Sequence, residues 1–276
     1  MSSPPPVETL PAAAQRARAT PFDLAAILRA LPADVSEADA AALAAWPVPA
    51  LSPDGGCSLG RLAAEPFSVL DELVARGAAR DAALRRLWAL RRVCAALAAT
   101  TGAEWVGVYE VVPPSARAAA AGGAADESNL LKLAYVGAPS RPLFPLTAAF
   151  AEGSNNAAVA RSGAAVVYHD VRALPRDAPY YVCDGKVRAE ACVPIVDAHG
   201  AVVGLLDAEA FAPGAFAAPA MLGAVLGAAA ALGAADLLRG PLSAADAWAA
   251  GVTDAQIVRL FVYNASPACC AALTLP

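Results

Sequence analysis

The chain has 276 residues and a mass of 27.7 kDa, carries a formal net charge of −5, and has a sequence pI near 5.1. This charge argues against nonspecific nucleic-acid binding, which needs a basic surface to displace counterions from phosphate. Hydrophobic residues make up 58% of the chain but aromatic residues only 6%, because alanine supplies much of the apolar share. Such a composition is typical of an ordinary globular protein.

The cysteines and histidines indicate neither a zinc site nor a disulfide scaffold. The six cysteines stand at positions 57, 94, 183, 192, 269 and 270, without Cys-x-x-Cys spacing. His169 and His199 are isolated in predicted loops, so we expect no metal and no other cofactor. A reducing compartment is the default for such cysteine usage, and the N-terminus shows no secretory signal. We therefore expect a cytoplasmic protein, with organelle targeting left open.

An uncharged run at 210–235 is long enough to suggest a membrane span, but it contains Pro213 and Pro219 and consists mainly of alanine and glycine. Alanine and glycine gain little free energy from lipid, so the run predicts a buried helix that begins near Pro219. No membrane partner is expected.

The N-terminal part of the chain predicts a disordered segment followed by helices. Residues 1–20 are rich in proline, alanine and serine without a period, which is typical of disorder. Helices are predicted at 21–30, 37–45, 66–76 and 81–99, and the segment 21–80 is assigned to a helical extension. The arginines at 85, 86, 91 and 92 are interpreted as the solvated face of the fourth helix.

From Glu104 the hydrophobic pattern changes to the alternation of β-strands. Strands are predicted at 104–112, 130–137, 164–168, 187–196 and 201–210, with an insertion at 113–127 and helices at 155–162 and 220–238. Two further short helices, capped by Ser243 and Thr253, place a helical tail at 240–276. The pattern predicts an α+β fold in which helices flank an antiparallel sheet over 81–239.

The last two predicted strands, 187–196 and 201–210, contain acidic residues among the apolar residues typical of a buried strand. Glu190 and Cys192 share one face of the first strand, and Asp207 and Glu209 share one face of the second. If the strands pair through the turn at 197–200, those faces can coincide. Burying carboxylates costs several kcal/mol unless they form ion pairs or stay solvated. We therefore predict a concave, polar site on this face.

Two other features accompany the acids. Cys183 lies in a polar loop beside Asp184 and Lys186, which favours a reactive thiol over a buried one. Trp105 and Tyr109 fall on one face of the first predicted strand of the sheet, either as core or as part of a pocket.

These features resemble the GAF fold and, within it, the free methionine-(R)-sulfoxide reductases, over roughly Leu84 to Leu238. The shared motifs are Trp105-Val106-Gly107-Val108-Tyr109, Cys183-Asp184 followed by Glu190 and Val193-Pro194-Ile195, and Gly204-Leu205-Leu206-Asp207-Ala208-Glu209.

The resemblance implies a role for each matching residue. Cys183 would be the catalytic cysteine, with Glu190 and Asp207 as catalytic acids in the pocket. Trp105, Tyr109 and Glu209 would bind the substrate, Glu209 with a change of residue type from the family's aspartate.

The chain departs from the family at two thiols. The family usually carries two further cysteines, and those places fall near Pro142 and at Asn156 here. Cys192 is the candidate resolving thiol because alternation puts it on the acidic face.

Two functions follow from the motifs and their departures. In the first, the protein is an oxidoreductase that reduces free methionine-(R)-sulfoxide and is regenerated by Cys192 or an external thiol such as thioredoxin. In the second, it is a noncatalytic GAF module that binds a small-molecule ligand or joins a homodimer or larger protein assembly through its helical extensions. The missing cysteines favour the second function, and the retained thiol and acids favour the first.

Overall fold

The structure of the protein is a computed structural model that describes residues 23–30, 36–52, 61–115, 127–175, 180–235, 237–238, 259–263 and 270–274. The predicted disordered segment at 1–20, most of the insertion at 113–127 and the helices after Ser243 and Thr253 lie outside these residues.

Four helices precede the sheet, as the sequence predicts. They are α1 (Leu24–Arg29), α2 (Glu37–Ala44), α3 (Val69–Ala75) and α4 (Arg80–Thr101). Side-chain oxygens of Ser36 and Ser68 accept backbone N–H groups at the starts of α2 and α3. Gly102 ends α4 in the left-handed conformation with φ of 72°, which glycine adopts without a Cβ penalty.

The strands form one large sheet and one two-stranded ribbon. The ribbon pairs β1 (Ala45–Trp46) with β2 (Phe67–Ser68). The large sheet contains β3 (Trp105–Val112), β4 (Asn129–Val136), β5 (Leu143–Pro145), β6 (Ala165–Tyr168), β7 (Ala189–Val196), β8 (Val202–Ala210), β9 (Arg259–Tyr263) and β10 (Cys270–Thr274). Its order is β10-β9-β6-β7-β8-β3-β4-β5, and the six strands from β6 to β5 are antiparallel.

The described part of the C-terminal tail differs from the helical tail that the sequence predicts. Strand β9 pairs in parallel with β6, and β10 pairs antiparallel with β9. An open edge at β6 offers unpaired backbone groups to any extended segment, so long-range pairing overrides the local helical preference of this alanine-rich tail.

Helices cover both faces of the central strands. Helix α4 packs against β3 and β4 and also touches α7 (Pro219–Ala234), which lies on β7 and β8. The short helices α5 (Ala148–Ala151) and α6 (Asn155–Ser162) follow β5, and α6 also packs on β7 and β8. Every residue of β3 is buried, which is the pattern of a strand covered on both sides.

The N-terminal helices share the core of the sheet domain. Leu24, Leu43, Trp46 and Leu70 belong to one buried cluster with the sheet residues. No helix in the described part of the chain combines the length and apolar character that crossing a membrane requires.

The solvated face predicted for α4 is wrong for Arg86. Its Nη2 lies 2.9 Å from Oε1 of buried Glu110, and its Nε donates to the Leu237 carbonyl at 2.6 Å. A buried carboxylate needs a partner, and only the folded chain brings Glu110 beneath this helix.

Candidate functional site

The hairpin of β7 and β8 adopts the register in which the acidic faces coincide. Glu190 lies directly opposite Glu209, and Cys192 lies directly opposite Asp207. The turn at 197–200 closes the hairpin, with backbone amides donating to Oδ1 of Asp197. The predicted meeting of the two faces is therefore present in the folded protein.

Strand β3 extends these rows of residues with aromatic side chains. Trp105 pairs with Glu209, and Gly107 pairs with Asp207. A Cβ at Gly107 would collide with the Trp105 ring, so glycine is what lets the indole lie across the strand toward Tyr109. The Trp105 and Tyr109 ring centroids are 6.2 Å apart, and the Trp105 Nε1 donates to the Ala138 carbonyl at 3.0 Å.

An open pocket of about 610 Å³, which includes solvent at its mouth, lies over this face of the sheet. It is lined by Glu104, Trp105, Tyr109, Ala138, Pro139, Ser140, Phe144, Ser154, Asn155, Asn156, Tyr181, Cys183, Asp184, Glu190, Asp207, Glu209 and Phe211. All six residues that the sequence marks as catalytic or substrate-binding thus share one pocket, whereas Cys192 lies beneath its floor.

Glu190 is held by two hydrogen bonds in a ring of polar side chains. Its Oε1 accepts from Asn155 Nδ2 at 2.9 Å, and its Oε2 accepts from the Tyr180 hydroxyl at 2.6 Å. The Tyr168 hydroxyl donates to Asn155 Oδ1, and the Tyr168 and Tyr180 rings meet edge to face. Burial raises the pKa of Glu190, while both donors act to lower it.

Asp207 has a different environment from Glu190. Burial, followed by the charges of Glu190 and Glu209, raises the pKa of Asp207 well above its ordinary range. Its Oδ1 is buried and has no hydrogen-bond partner. A carboxyl with these properties favours the protonated form and has an oxygen available to a ligand.

Cys192 is fully buried and donates from Sγ to Asn156 Oδ1 at 3.5 Å. Burial raises the pKa of this thiol, and the charges of Asp207, Glu190 and Glu209 raise it further. A thiol needs to ionise before it attacks, so this environment disfavours a resolving role for Cys192 in the conformation seen.

Cys183 lies at the rim of the pocket in a loop held by backbone contacts. Its side chain is half-buried. The Asp184 carboxylate accepts from the Lys186 amide at 2.9 Å, and the Tyr181 amide donates to the Gly153 carbonyl at 2.7 Å. The first bond stabilises the loop itself, and the second attaches it to the segment that leads into α6, which keeps the thiol in the pocket with the acids.

Several residues that sequence reasoning missed build the walls of the site. Asn155 and Asn156 begin α6, where Ser154 caps the helix, and Tyr180 immediately precedes the Cys183 loop. Asparagine is common near a helix start for local capping reasons, so the pair at 155–156 gave no clear signal in the sequence for a role in the pocket.

Lys132 supports the opposite wall and was also missed. It is fully buried, and its Nζ donates to the carbonyl and Oγ of Ser140, both at 2.7 Å. The same Nζ lies 4.2 Å from the Tyr135 ring centroid and within 6 Å of the Trp46 and Trp105 rings. The lysine therefore fixes the pocket segment at Ser140 from behind.

A family model for the GAF domain matches residues 88–235, which is more than half of the chain. The chain belongs to the GAF domain family. The match begins within α4 and ends just after α7, so it contains the whole pocket.

Solved structures of other GAF proteins are similar at low identity. The type II free methionine-R-sulfoxide reductase of Thermoplasma acidophilum is 19% identical, with 52% of this chain and 90% of that chain covered and a TM-score of 0.39. The free methionine-R-sulfoxide reductase of Neisseria meningitidis, solved with its substrate, is 20% identical. The match covers 59% of this chain and 92% of that chain, with a TM-score of 0.37. The GAF domain of the Acinetobacter phosphoenolpyruvate-protein phosphotransferase is 16% identical. The match covers 59% of this chain and 91% of that chain, with a TM-score of 0.35. No curated protein matches the sequence.

Proposed function

We propose that this GAF-family protein reduces free methionine-(R)-sulfoxide, with Cys183 as the nucleophile. The observation that carries the proposal is the convergence of a half-buried thiol, the carboxyls of Glu190, Asp207 and Glu209, and the Trp105 indole on one pocket. Reduction of a sulfoxide by a thiol needs a nucleophile and a proton donor for the oxygen, and the indole adds an apolar surface for the rest of the substrate.

The charge of the pocket favours an amino acid as ligand. Among the described residues that line it, none is a lysine, arginine or histidine. Carboxyl groups in a pocket whose described lining has no basic side chain favour the ammonium group of a free amino acid, which Glu209 and Glu190 are placed to hold. A peptide-bound methionine sulfoxide lacks that ammonium, and Trp105 with Tyr109 offers an apolar wall for the methyl group.

The reaction moves one oxygen atom from the substrate to the enzyme. Cys183 attacks the sulfoxide sulfur as a thiolate while Asp207 gives a proton to the sulfoxide oxygen. The oxygen, as hydroxyl, then passes to Cys183 Sγ and methionine leaves. The methionine sulfur gains the two electrons that the Cys183 sulfur loses, so Cys183 becomes a sulfenic acid.

An external dithiol of the thioredoxin type regenerates Cys183 in this proposal. Its first thiol condenses with the sulfenic acid and releases water, and its second thiol breaks the mixed disulfide and becomes oxidised with it. The burial of Cys192 favours this route over an internal bridge. A reductant of this kind belongs to a reducing compartment such as the cytoplasm, and the reaction needs no other cofactor.

A noncatalytic ligand-binding or assembly role is the second candidate. The observation in its favour is Asn156, which stands where the family usually has a thiol and whose amide holds Cys192. A GAF module of this kind would bind the same amino acid, or another small ligand with an ammonium group, and signal through a homodimer or another protein partner without turnover.

The test is consumption of NADPH with thioredoxin, thioredoxin reductase and free methionine-(R)-sulfoxide. The S epimer and a peptide-bound sulfoxide are the substrate controls. Cys183→Ser should abolish turnover, whereas Cys94→Ala, which removes a buried thiol outside the pocket, should leave it largely intact. Turnover that survives Cys183→Ser contradicts the mechanism, and calorimetric binding of the sulfoxide without any turnover favours the second candidate.

A further inference from the structure

A cluster of potential metal-ligand atoms lies at and just beneath the floor of the pocket, formed by Glu190, Asp207 and the Cys192 thiol below them. One carboxylate oxygen from each acid and the Cys192 Sγ all lie within 4.8 Å of one another. The three residues are 3%, 0% and 2% exposed. The cluster is set by the sheet itself, because Glu190 and Cys192 are two apart on β7 and Asp207 is the direct partner of Cys192 on β8.

A second observation indicates that this floor is built for a ligand. Asp207 Oδ1 is buried without a hydrogen-bond partner, and a buried acceptor that lacks a partner is destabilising. The described residues lining the pocket include no basic side chain that could offset the acids. A bound cation would satisfy the orphan oxygen and compensate the charge at the same time.

We propose that the pocket floor binds a divalent transition-metal ion of the zinc class through Glu190, Cys192 and Asp207. A thiolate ligand selects such an ion over Mg²⁺ and Ca²⁺, which prefer oxygen alone. On binding, the Cys192 Sγ–H bond breaks, its proton goes to solvent, and an Sγ–metal bond forms without any change of oxidation state.

Asn156 is the natural fourth ligand. Its Oδ1 accepts the Cys192 thiol hydrogen at 3.5 Å, so loss of that hydrogen frees the oxygen next to the sulfur. Tetrahedral zinc places its ligand atoms about 3.5 Å apart. The ligand atoms of the cluster, which lie within 4.8 Å of one another, therefore need to approach by at most about 1.3 Å, which rotation about the terminal side-chain bonds allows.

The proposed metal excludes the proposed substrate from the same acids. A metal bound to Glu190 and Asp207 would leave neither carboxyl for an amino acid, and the Cys183 thiol would remain at the rim outside the cluster. The metal site stands on the cluster alone and does not depend on whether the protein reduces a sulfoxide.

The experiment is a titration of chelator-treated protein with Co²⁺, whose thiolate charge-transfer band reports a cysteine ligand. The full-length chain carries Cys57→Ser, Cys269→Ser and Cys270→Ser, so that only the thiols of Cys94, Cys183 and Cys192 remain as possible sources of the band. We expect one equivalent of Co²⁺ to give the band and one equivalent of Zn²⁺ to abolish it. Cys183→Ser should keep the band, and Cys192→Ser should lose it.

Asp207→Asn provides a second variant, because it keeps the shape of the side chain. Its Co²⁺ affinity should fall by at least about tenfold. Absence of the band, its loss with Cys183→Ser, or unchanged affinity in Asp207→Asn would each overturn the metal site. If Cys192→Ser does not fold, as judged by circular dichroism, Asp207→Asn decides alone. A protein that shows the band with Co²⁺ but, assayed free of metal, never reduces the sulfoxide contradicts the proposed reductase function and leaves the metal site standing.

Discussion

Cys192 and Asp207 are direct partners across the β7–β8 pair, and the Asn156 amide contacts both side chains. A thiol and a carboxyl are thereby buried side by side with one shared neutral neighbour. Neither group ionises easily in this position, because burial raises the pKa of both. The charge of Asp207 raises the pKa of Cys192 further, and the charges of Glu190 and Glu209 do the same for Asp207.

Asp207→Asn should stabilise the protein at neutral pH by about 1 to 3 kcal/mol, because the buried carboxyl has an orphan oxygen and no cation beside it. The folded-state pKa of Asp207 lies above its unfolded value. The unfolded chain therefore releases this proton first, and wild-type stability falls as pH rises from about 4 toward the folded pKa.

Urea denaturation between about pH 4 and pH 8 measures this difference. In a plot of the free energy of unfolding against pH, Asp207→Asn should lack the decrease that Asp207 causes in the wild type. The control Glu65→Gln, at an exposed position, should follow the wild type. A variant that is less stable than the wild type at pH 7 would show that the carboxylate is stabilising, contrary to this argument.

Tyr180→Phe should lower kcat/KM for the sulfoxide by about tenfold to a hundredfold. The change removes the 2.6 Å donor to Glu190 Oε2, and a hydrogen bond to a charged group contributes about 1.5 to 3 kcal/mol. The pKa of Glu190 rises further without this donor, so less of the residue is ionised to hold the substrate ammonium.

Tyr168→Phe is the matched control for Tyr180→Phe. It removes an equivalent hydroxyl that bonds to Asn155 rather than to Glu190 itself, so its effect should be several times smaller. Equal losses of kcat/KM in the two variants would show that both tyrosines act through packing, and that the Tyr180 hydrogen bond to Glu190 has no special role.

Oxidation by the substrate should leave Cys183 as a sulfenic acid rather than in a bridge to Cys192. Cys192 is fully buried with a raised pKa, whereas Cys183 lies half-buried at the rim. Mass mapping after dimedone treatment should find the adduct on Cys183. A Cys183–Cys192 disulfide peptide would instead reveal that the β7 strand opens during turnover.

Lys132→Met should destabilise the protein by about 2 to 4 kcal/mol and loosen the pocket wall. The change removes two 2.7 Å hydrogen bonds to Ser140 and the cation that lies over the Tyr135 ring. Hydrogen exchange at 137–142 should accelerate, while Lys186→Met, at an exposed position, should leave this segment unchanged. Unaltered exchange in Lys132→Met would show that Trp105 and the backbone hold the wall without the lysine.

The local periods of the sequence determined most of the sheet domain and the floor of its site. Alternation placed Glu190 with Cys192 and Asp207 with Glu209, and the short turn between the strands left a register in which the pairs meet. The caps at Ser36 and Gly102 likewise mark helix ends, because capping depends on a few neighbouring residues.

Tertiary structure decided what surrounds that floor. Asn155, Tyr180 and Lys132 come from separate elements, and no local pattern tells which carboxylate or ring each will meet. The buried pair of Arg86 with Glu110 and the strands at 259–263 and 270–274 arise in the same way, from contacts between segments far apart in the chain. Periodicity reports which face of an element is buried, whereas the partners on that face depend on how the elements pack.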